Sequence, residues 1–349
     1  MEKQDYFQNR DYINSKKIIN LLKSLPECCT SFVIGIESKT SVLTRLNYLL
    51  DIKTFFTYLT NENRYFMGKD LFNLSTAELN NIKSVDIERF LYWINNYEVN
   101  GRLYSNNDKA KARKLSSLRS FFKYLYKKDF INSNEISKVD MPKIHDKEII
   151  RLEVDEVVKV LNEIEEPTNL TKRQKAFNKG TYIRDLAIMS LFLGTGIRIS
   201  ECVGLDIDDI DFEINGFKIT RKGGNKVILY FSDEVAVALK DYMKERLFKK
   251  DVDENEKALF LSLQKKRISP RAVENLVKKY SKSAIPLKSI SPHKLRSTYG
   301  TNLYRETKDI YIVANVLGHK DVNTTKKHYA AISEDMRRSV IEKVKLRRD

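Results

Sequence analysis

The sequence predicts a mainly α-helical chain of two domains, the second carrying one small antiparallel sheet. Three observations support this. Apolar residues recur at three- and four-residue spacings along most of the chain, the period of a helix with one buried face. The stretch 210–231 breaks that period with two β-prone runs around a glycine turn. A polar stretch at 137–148, interrupted by Pro142, separates the helical patterns into two sets. With 349 residues the chain is long enough for two separate cores.

Residues 1–30 are polar and weakly patterned, and no element is predicted there. A helix over 41–60 follows from Val42, Leu46, Leu49, Leu50, Ile52, Phe55, Phe56 and Leu59. A second, over 84–97, follows from Val85, Ile87, Phe90, Leu91 and Ile94. A third, over 108–128, has Leu115, Leu118, Phe121, Phe122 and Leu125 on one side. Its other faces carry Lys109, Lys111, Arg113, Lys114, Arg119, Lys123, Lys127 and Lys128, with no acidic residue after Asp108. Mixed charges would serve solubility better, so a run of one sign reads as a face for a nucleic-acid backbone. The linker follows, and His145 within it reads as an exposed linker residue. Beyond it, helices are predicted over about 153–165, 183–193, 199–205, 233–247, 270–281, 292–305, 309–316, 323–331 and 334–346. Between them, Phe217–Arg221 and Lys226–Phe231 flank Gly223-Gly224-Asn225 as a hairpin.

Composition narrows the function. Hydrophobic residues make up 42% of the chain, so it is globular, and its net charge of +16 points toward a polyanion. The three cysteines, Cys28, Cys29 and Cys202, fit neither a zinc site nor a disulfide framework, and they suit a reducing cytoplasm. The N-terminus lacks the apolar segment of a signal peptide, and no apolar run is long enough to span a bilayer.

Three phrases carry chemistry. The first is Gly194-Thr195-Gly196-Ile197-Arg198-Ile199-Ser200-Glu201, where glycines turn the backbone tightly into a helix and Glu201 can orient Arg198. The second is Pro292-His293-Lys294-Leu295-Arg296, with Ser291 as N-cap and Pro292 at the first helical position. There His293 and Arg296 fall three apart near a helix N-terminus, a place that favours an anion. The third runs from Leu317 to Tyr329, with Gly318 as a helix C-cap, His319 directly after it, and the phenol of Tyr329 further on. Lys222, beside the hairpin glycines, can protonate a leaving oxygen. Phosphodiester transfer passes through a highly anionic transition state, so electrostatic clamping and proton management dominate its catalysis. Arginine suits the clamp because its fork donates two hydrogen bonds and stays charged. Tyrosine is a plausible covalent nucleophile. No metal-ligand spacing is present, and no cofactor is expected; the cations Arg198, Lys222, His293, Arg296 and His319 supply the positive charge.

These phrases, with Thr220-Arg221-Lys222-Gly223-Gly224-Asn225-Lys226, resemble the tyrosine recombinase (phage integrase) family, and its Xer-type members most closely. They occur in the family's order across roughly 150–340. Two phrases of the first half, Thr44-Arg45-Leu46-Asn47-Tyr48 and 112–122, resemble the family's helical, SAM-like core-binding domain. The resemblance implies an N-terminal extension (1–30), a core-binding domain (31–136), a linker (137–152), a mostly helical catalytic domain with a small sheet (153–333) and a C-terminal helix for protomer contacts (334–349). It also implies that Tyr329 attacks the scissile phosphate and forms a 3′-phosphotyrosyl link. Arg198 and Arg296 then hold non-bridging oxygens, Lys222 protonates the leaving oxygen, His293 and His319 assist, and Glu201 supports. Lys109, Lys111, Arg113, Lys114, Arg119 and Lys123 would contact DNA. Four protomers would synapse two double-stranded core sites. Two departures stand out. Tyr329 lies ten residues after His319 rather than nine, with His328 in the usual place and Tyr299, Tyr304 and Tyr311 as the other tyrosines nearby. The first thirty residues are short for an extra arm-binding domain. A type IB topoisomerase and a non-catalytic DNA-binding regulator share enough of these features to stand as alternatives.

Overall fold

The computed structural model describes residues 6–144, 150–221, 225–248, 252–318 and 321–322. It divides into two compact units, Met1–Asp146 and Lys147–Asp349. The boundary falls inside the stretch 137–152, though both ends of that stretch are anchored. Ile136 and Val139 are buried in the core of the first unit, and Leu152 is buried in the second, where its amide donates to Thr298 Oγ1 at 2.9 Å.

The first unit contains α1 (Tyr6–Leu22), α2 (Glu27–Gly35), α3 (Val42–Glu62), α4 (Thr76–Leu79) and α5 (Ser84–Trp93). The strands β1 (Asn96–Val99) and β2 (Arg102–Ser105) follow, and α6 (Asp108–Lys127) completes it. Ser41 caps α3, accepting from the Thr44 amide at 3.3 Å, and Asn107 caps α6 through the Ala110 amide at 3.0 Å. The apolar stripes of α3 and α6 meet in a phenylalanine-rich core, with Phe55, Phe56, Phe90, Phe121 and Phe122 buried.

Three expectations need correction here. The segment 1–30, expected as a weakly patterned extension, carries core structure from Tyr6 onward: residues 6–30 include α1 and the start of α2, and Ile18, Leu25, Cys28 and Cys29 are buried in the core with Phe32. The cysteines act as small hydrophobes there, a role that residue counting by type conceals. The helix expected over 84–97 ends at Trp93, and β1 pairs with β2 from Asn96↔Ser105 to Val99↔Arg102. Asn100 and Gly101 both take positive φ, 51° and 71°, as a tight hairpin turn requires. The basic run of α6, expected as a nucleic-acid face, is only partly exposed. Lys114 is buried, its Nζ 3.2 Å from Asp51 Oδ1, and Arg113 pairs with the other carboxylate oxygen. Ser117 Oγ donates to Asp51 at 2.7 Å, and Arg119 donates to the Val139 carbonyl. Lys109, Arg113 and Lys123 remain exposed, while Lys111 is half-buried against Asp108 and Asn95.

The second unit is built around α9 (Tyr182–Thr195), preceded by α7 (Val154–Glu165) and α8 (Lys172–Asn178). Next come α10 (Ile199–Gly204), β3 (Ile210–Asp211), β4 (Gly216–Thr220) and β5 (Lys226–Tyr230). The helices α11 (Asp233–Phe248), α12 (Pro270–Ala284), α13 (Pro292–Thr307) and α14 (Ile310–Leu317) complete the described part. Helix α9 is apolar on nearly every side, burying Ala187, Ile188, Met189, Leu191 and Phe192, and α7, α11 and α13 pack on it. The hairpin expected over 217–231 is present, with β4 paired to β5 from Gly216↔Tyr230 to Thr220↔Lys226, and β3 adds a short edge. The mainly helical expectation therefore holds. Helix α8 was not expected, although Thr171 and Gln174 form a capping box at its start. The predicted helices 323–331 and 334–346, His145 and the glycines of the hairpin tip lie outside the described residues. Among the described residues, no helix is long and apolar enough to cross a membrane.

Candidate active site

Two glycines shape the site. Gly196 ends α9 in the left-handed region at φ 61°, and Gly318 ends α14 at φ 60°. A Cβ on Gly196 would press on Tyr299 and Leu317, and one on Gly318 would collide with the guanidinium of Arg221. Glycine therefore lets two chain turns and an arginine share a space that a side chain would fill.

Arg198 stands at the N-cap of α10, two residues past Gly196. Glu201 reaches back to accept from the Arg198 amide and from Nη1, both at 2.9 Å. Nη2 donates to the Gly318 carbonyl at 3.0 Å, and the side chain stays 36% exposed. Glu201 itself is buried, so it fixes the arginine from beneath.

Arg296 arrives from α13 and is buried. Nη1 donates to the Gly196 carbonyl and Nη2 to the Leu317 carbonyl, linking the ends of α9 and α14. A third cation, Arg221 at the end of β4, donates to the Val316 carbonyl at 2.8 Å and reaches toward Asn315. Burial lowers its pKa first; the nearby charge of Glu201 raises it, and that of Arg198 lowers it again. The last carbonyls of α14, with no partners within the helix, thus collect three guanidinium groups at the negative end of its dipole.

The structure brings together Arg198, Glu201 and Arg296 of the expected set. His293 lies exposed in the first turn of α13, on the helix that holds Arg296. Ser291 occupies the N-cap position there, but its side chain makes no capping bond, contrary to expectation. Tyr299, one of the tyrosines near the site by sequence, is half-buried, and burial raises its pKa. Lys222, His319 and Tyr329 lie outside the described residues. Arg221 and Gly318, their neighbours in the chain, are described. Sequence reasoning passed over Arg221, although it stands inside a quoted phrase directly before Lys222.

This constellation places three arginines at the turns that end α9 and α14. Residues 150–336 match the phage integrase family. The chain is 35% identical over 303 residues to the tyrosine recombinase XerC of Caldanaerobacter subterraneus subsp. tengcongensis, covering 85% of this chain and 80% of that protein. It is 32% identical to the tyrosine recombinase XerC of Syntrophus aciditrophicus, covering 86% and 90%. The fold is similar to that of the XerH site-specific recombinase bound to palindromic difH substrate, with TM-score 0.64, 20% identity and coverage of 86% and 80%. It is also similar to lambda integrase solved as a tetramer on a Holliday junction, with TM-score 0.60, 17% identity and coverage of 86% and 76%. The chain belongs to the phage integrase family.

Proposed function

We propose that this chain is a site-specific DNA recombinase that cleaves and rejoins duplex DNA through a tyrosine nucleophile. The observation that carries the reading is the meeting of Arg198 and Arg296 at the turn that leads into His319, in a chain of this family. In the cycle, the Tyr329 phenolic oxygen passes its proton to His293 and bonds to the scissile phosphorus. The bond from phosphorus to the 5′ oxygen breaks, and that oxygen takes a proton from Lys222. A 3′-phosphotyrosyl link and a free 5′-hydroxyl result. The 5′-hydroxyl of a partner strand then attacks the link, which has stored the bond energy, and releases the phenol. Arg198 and Arg296 clamp the non-bridging oxygens, where charge develops. His293 carries the phenol's proton and returns it when the link is broken, His319 donates a hydrogen bond to the phosphate, and Glu201 keeps Arg198 in place.

The substrate under this reading is a double-stranded core site, bound by four copies of the chain on two sites. Support comes from the basic charge and from the similar recombinases solved bound to difH and to a Holliday junction. The first unit forms the core-binding part, with α1 and α2 included, the second forms the catalytic part, and 334–349 docks on a neighbouring protomer. On α6, the exposed Lys109, Arg113 and Lys123 meet the phosphate backbone, with Lys111 and Arg119 at the edge of that surface. Lys114 contributes from beneath, through its pair with Asp51.

The test is a suicide-substrate assay with nicked duplex carrying the core site of the host locus. A protein–DNA adduct on a denaturing gel is expected for the wild type and not for Tyr329→Phe. An adduct that survives in Tyr329→Phe moves the nucleophile elsewhere. Specific footprinting without any adduct would instead make the chain a DNA-binding regulator.

A further inference from the structure

The hairpin is closed at its last described rung by the Arg221 amide, which donates to the Asn225 carbonyl at 2.8 Å. The Arg221 side chain then leaves the sheet and crosses to the end of α14, 95 residues away in sequence, where Nη2 donates to Val316. Its guanidinium occupies the space over Gly318 that a Cβ would take. Among the described residues, the buried Nε has no hydrogen-bond partner. A lysine or arginine needed only for solubility would extend into water; this one is partly buried, and among the described residues its guanidinium bonds only to backbone carbonyls, with the charge of Glu201 nearby, a costly arrangement unless its location matters. The contact ties together two segments that lead directly to reacting groups. One leads to Lys222, the next residue after Arg221, and the other to His319, the next after Gly318.

We propose that Arg221 is a positioning residue for the reaction: it clamps the base of the β4–β5 hairpin to the carboxyl end of α14 and so fixes where Lys222 delivers its proton. This rests on the recombinase reading, in which Lys222 protonates the leaving 5′ oxygen. A residue that merely capped α14 would slow every substrate alike or none. A residue that acts through proton delivery would matter only where the leaving atom needs a proton.

Two suicide duplexes that differ only in the bridging 5′ atom, oxygen or sulfur, separate these roles. A thiol has a pKa of about 8.5 and leaves as the thiolate without help. For Arg221→Ala, adduct formation on the oxygen duplex should slow about 10- to 100-fold, part of what general-acid catalysis contributes. The sulfur duplex should react at nearly the wild-type rate, with the footprint unchanged. Should the alanine variant fail to fold, Arg221→Gln retains a polar side chain, and the same pattern is expected. An unchanged oxygen rate, or an equal loss on both duplexes, overturns the proposal. If the wild type forms no adduct on either duplex, the recombinase reading fails and this inference falls with it, whereas a wild-type adduct with no selective loss rejects Arg221 alone.

Discussion

Both units gather arginine and lysine side chains, yet they answer the charge in different ways. On α6, Arg113 and Lys114 converge on a buried carboxylate, Asp51, so a full negative charge cancels much of their field. In the second unit, Arg198, Arg221 and Arg296 converge on the backbone carbonyls of residues 315–318 and 196. Arg198 also pairs with the buried carboxylate of Glu201. Carbonyl dipoles hold a guanidinium in place without neutralising it. The first arrangement builds a core; the second keeps positive charge available for an incoming phosphate.

This contrast makes Asp51 the most damaging position to change. Asp51→Ala strands Lys114 in the core without its counter-charge, and a broken buried pair of this kind costs about 3–5 kcal/mol. Chemical denaturation should show that loss, and the double variant Asp51→Leu with Lys114→Met should recover most of it. If the single substitution is neutral, the first cluster is a surface pair and the comparison breaks.

Gly318→Ala strikes the second cluster. It forces a side chain into a left-handed turn and displaces Arg221, at a cost of about 1–3 kcal/mol. Thermal unfolding should report the strain, and adduct formation should fall further than the stability loss alone explains. A variant that is destabilised yet fully active would mean that the turn merely shapes the fold.

The exposed cations of α6 should act additively on DNA. Lys109→Gln and Lys123→Gln should each reduce the slope of log binding constant against log salt by about 1. Lys114→Gln should act mainly on stability. Equal slopes for all three would erase the distinction between exposed and buried cations drawn here.

A smaller effect is expected in acid. The hydrogen bond from Lys69 and those from Ser75 hold the Glu78 carboxyl at about 2, below its ordinary range. A group whose pKa falls on folding contributes stability above its unfolded pKa, about 4.3, and loses it as pH drops toward the folded value. Lys69→Met should therefore lower Tm at pH 7, and the gap from wild type should close as pH falls. A gap independent of pH would contradict the assignment. The effect is small because the pair lies near water, which screens it.

Much of this was legible in the sequence. The apolar spacing over 41–60 and 108–128 marked the core helices, and Gly196 and Gly318 announced the two turns that hold the arginines. Partners distant in sequence were not legible. Nothing around Lys114 points to Asp51, 63 residues away, and nothing around Arg221 points to Val316. The α1–α2 segment escaped because its buried positions are few and include Asn14 and two cysteines. The hairpin at Asn100-Gly101 and the capping box at Thr171 did carry local signals, and both turn chemistries were overlooked beside stronger helical periods.

The central claim is that Arg198 and Arg296 are held at the Gly318 turn to bind a phosphate as its charge develops. The most direct test is the single-turnover rate of adduct formation by Arg198→Ala at saturating DNA. Arg198 is the more exposed of the two, and the double variant Arg198→Ala with Glu201→Gln, measured alongside, controls for the buried carboxylate that the single change strands. A loss of about 100-fold or more, with an unchanged footprint, is the predicted result. A wild-type rate would show that the arginine cluster supports the fold and not the reaction.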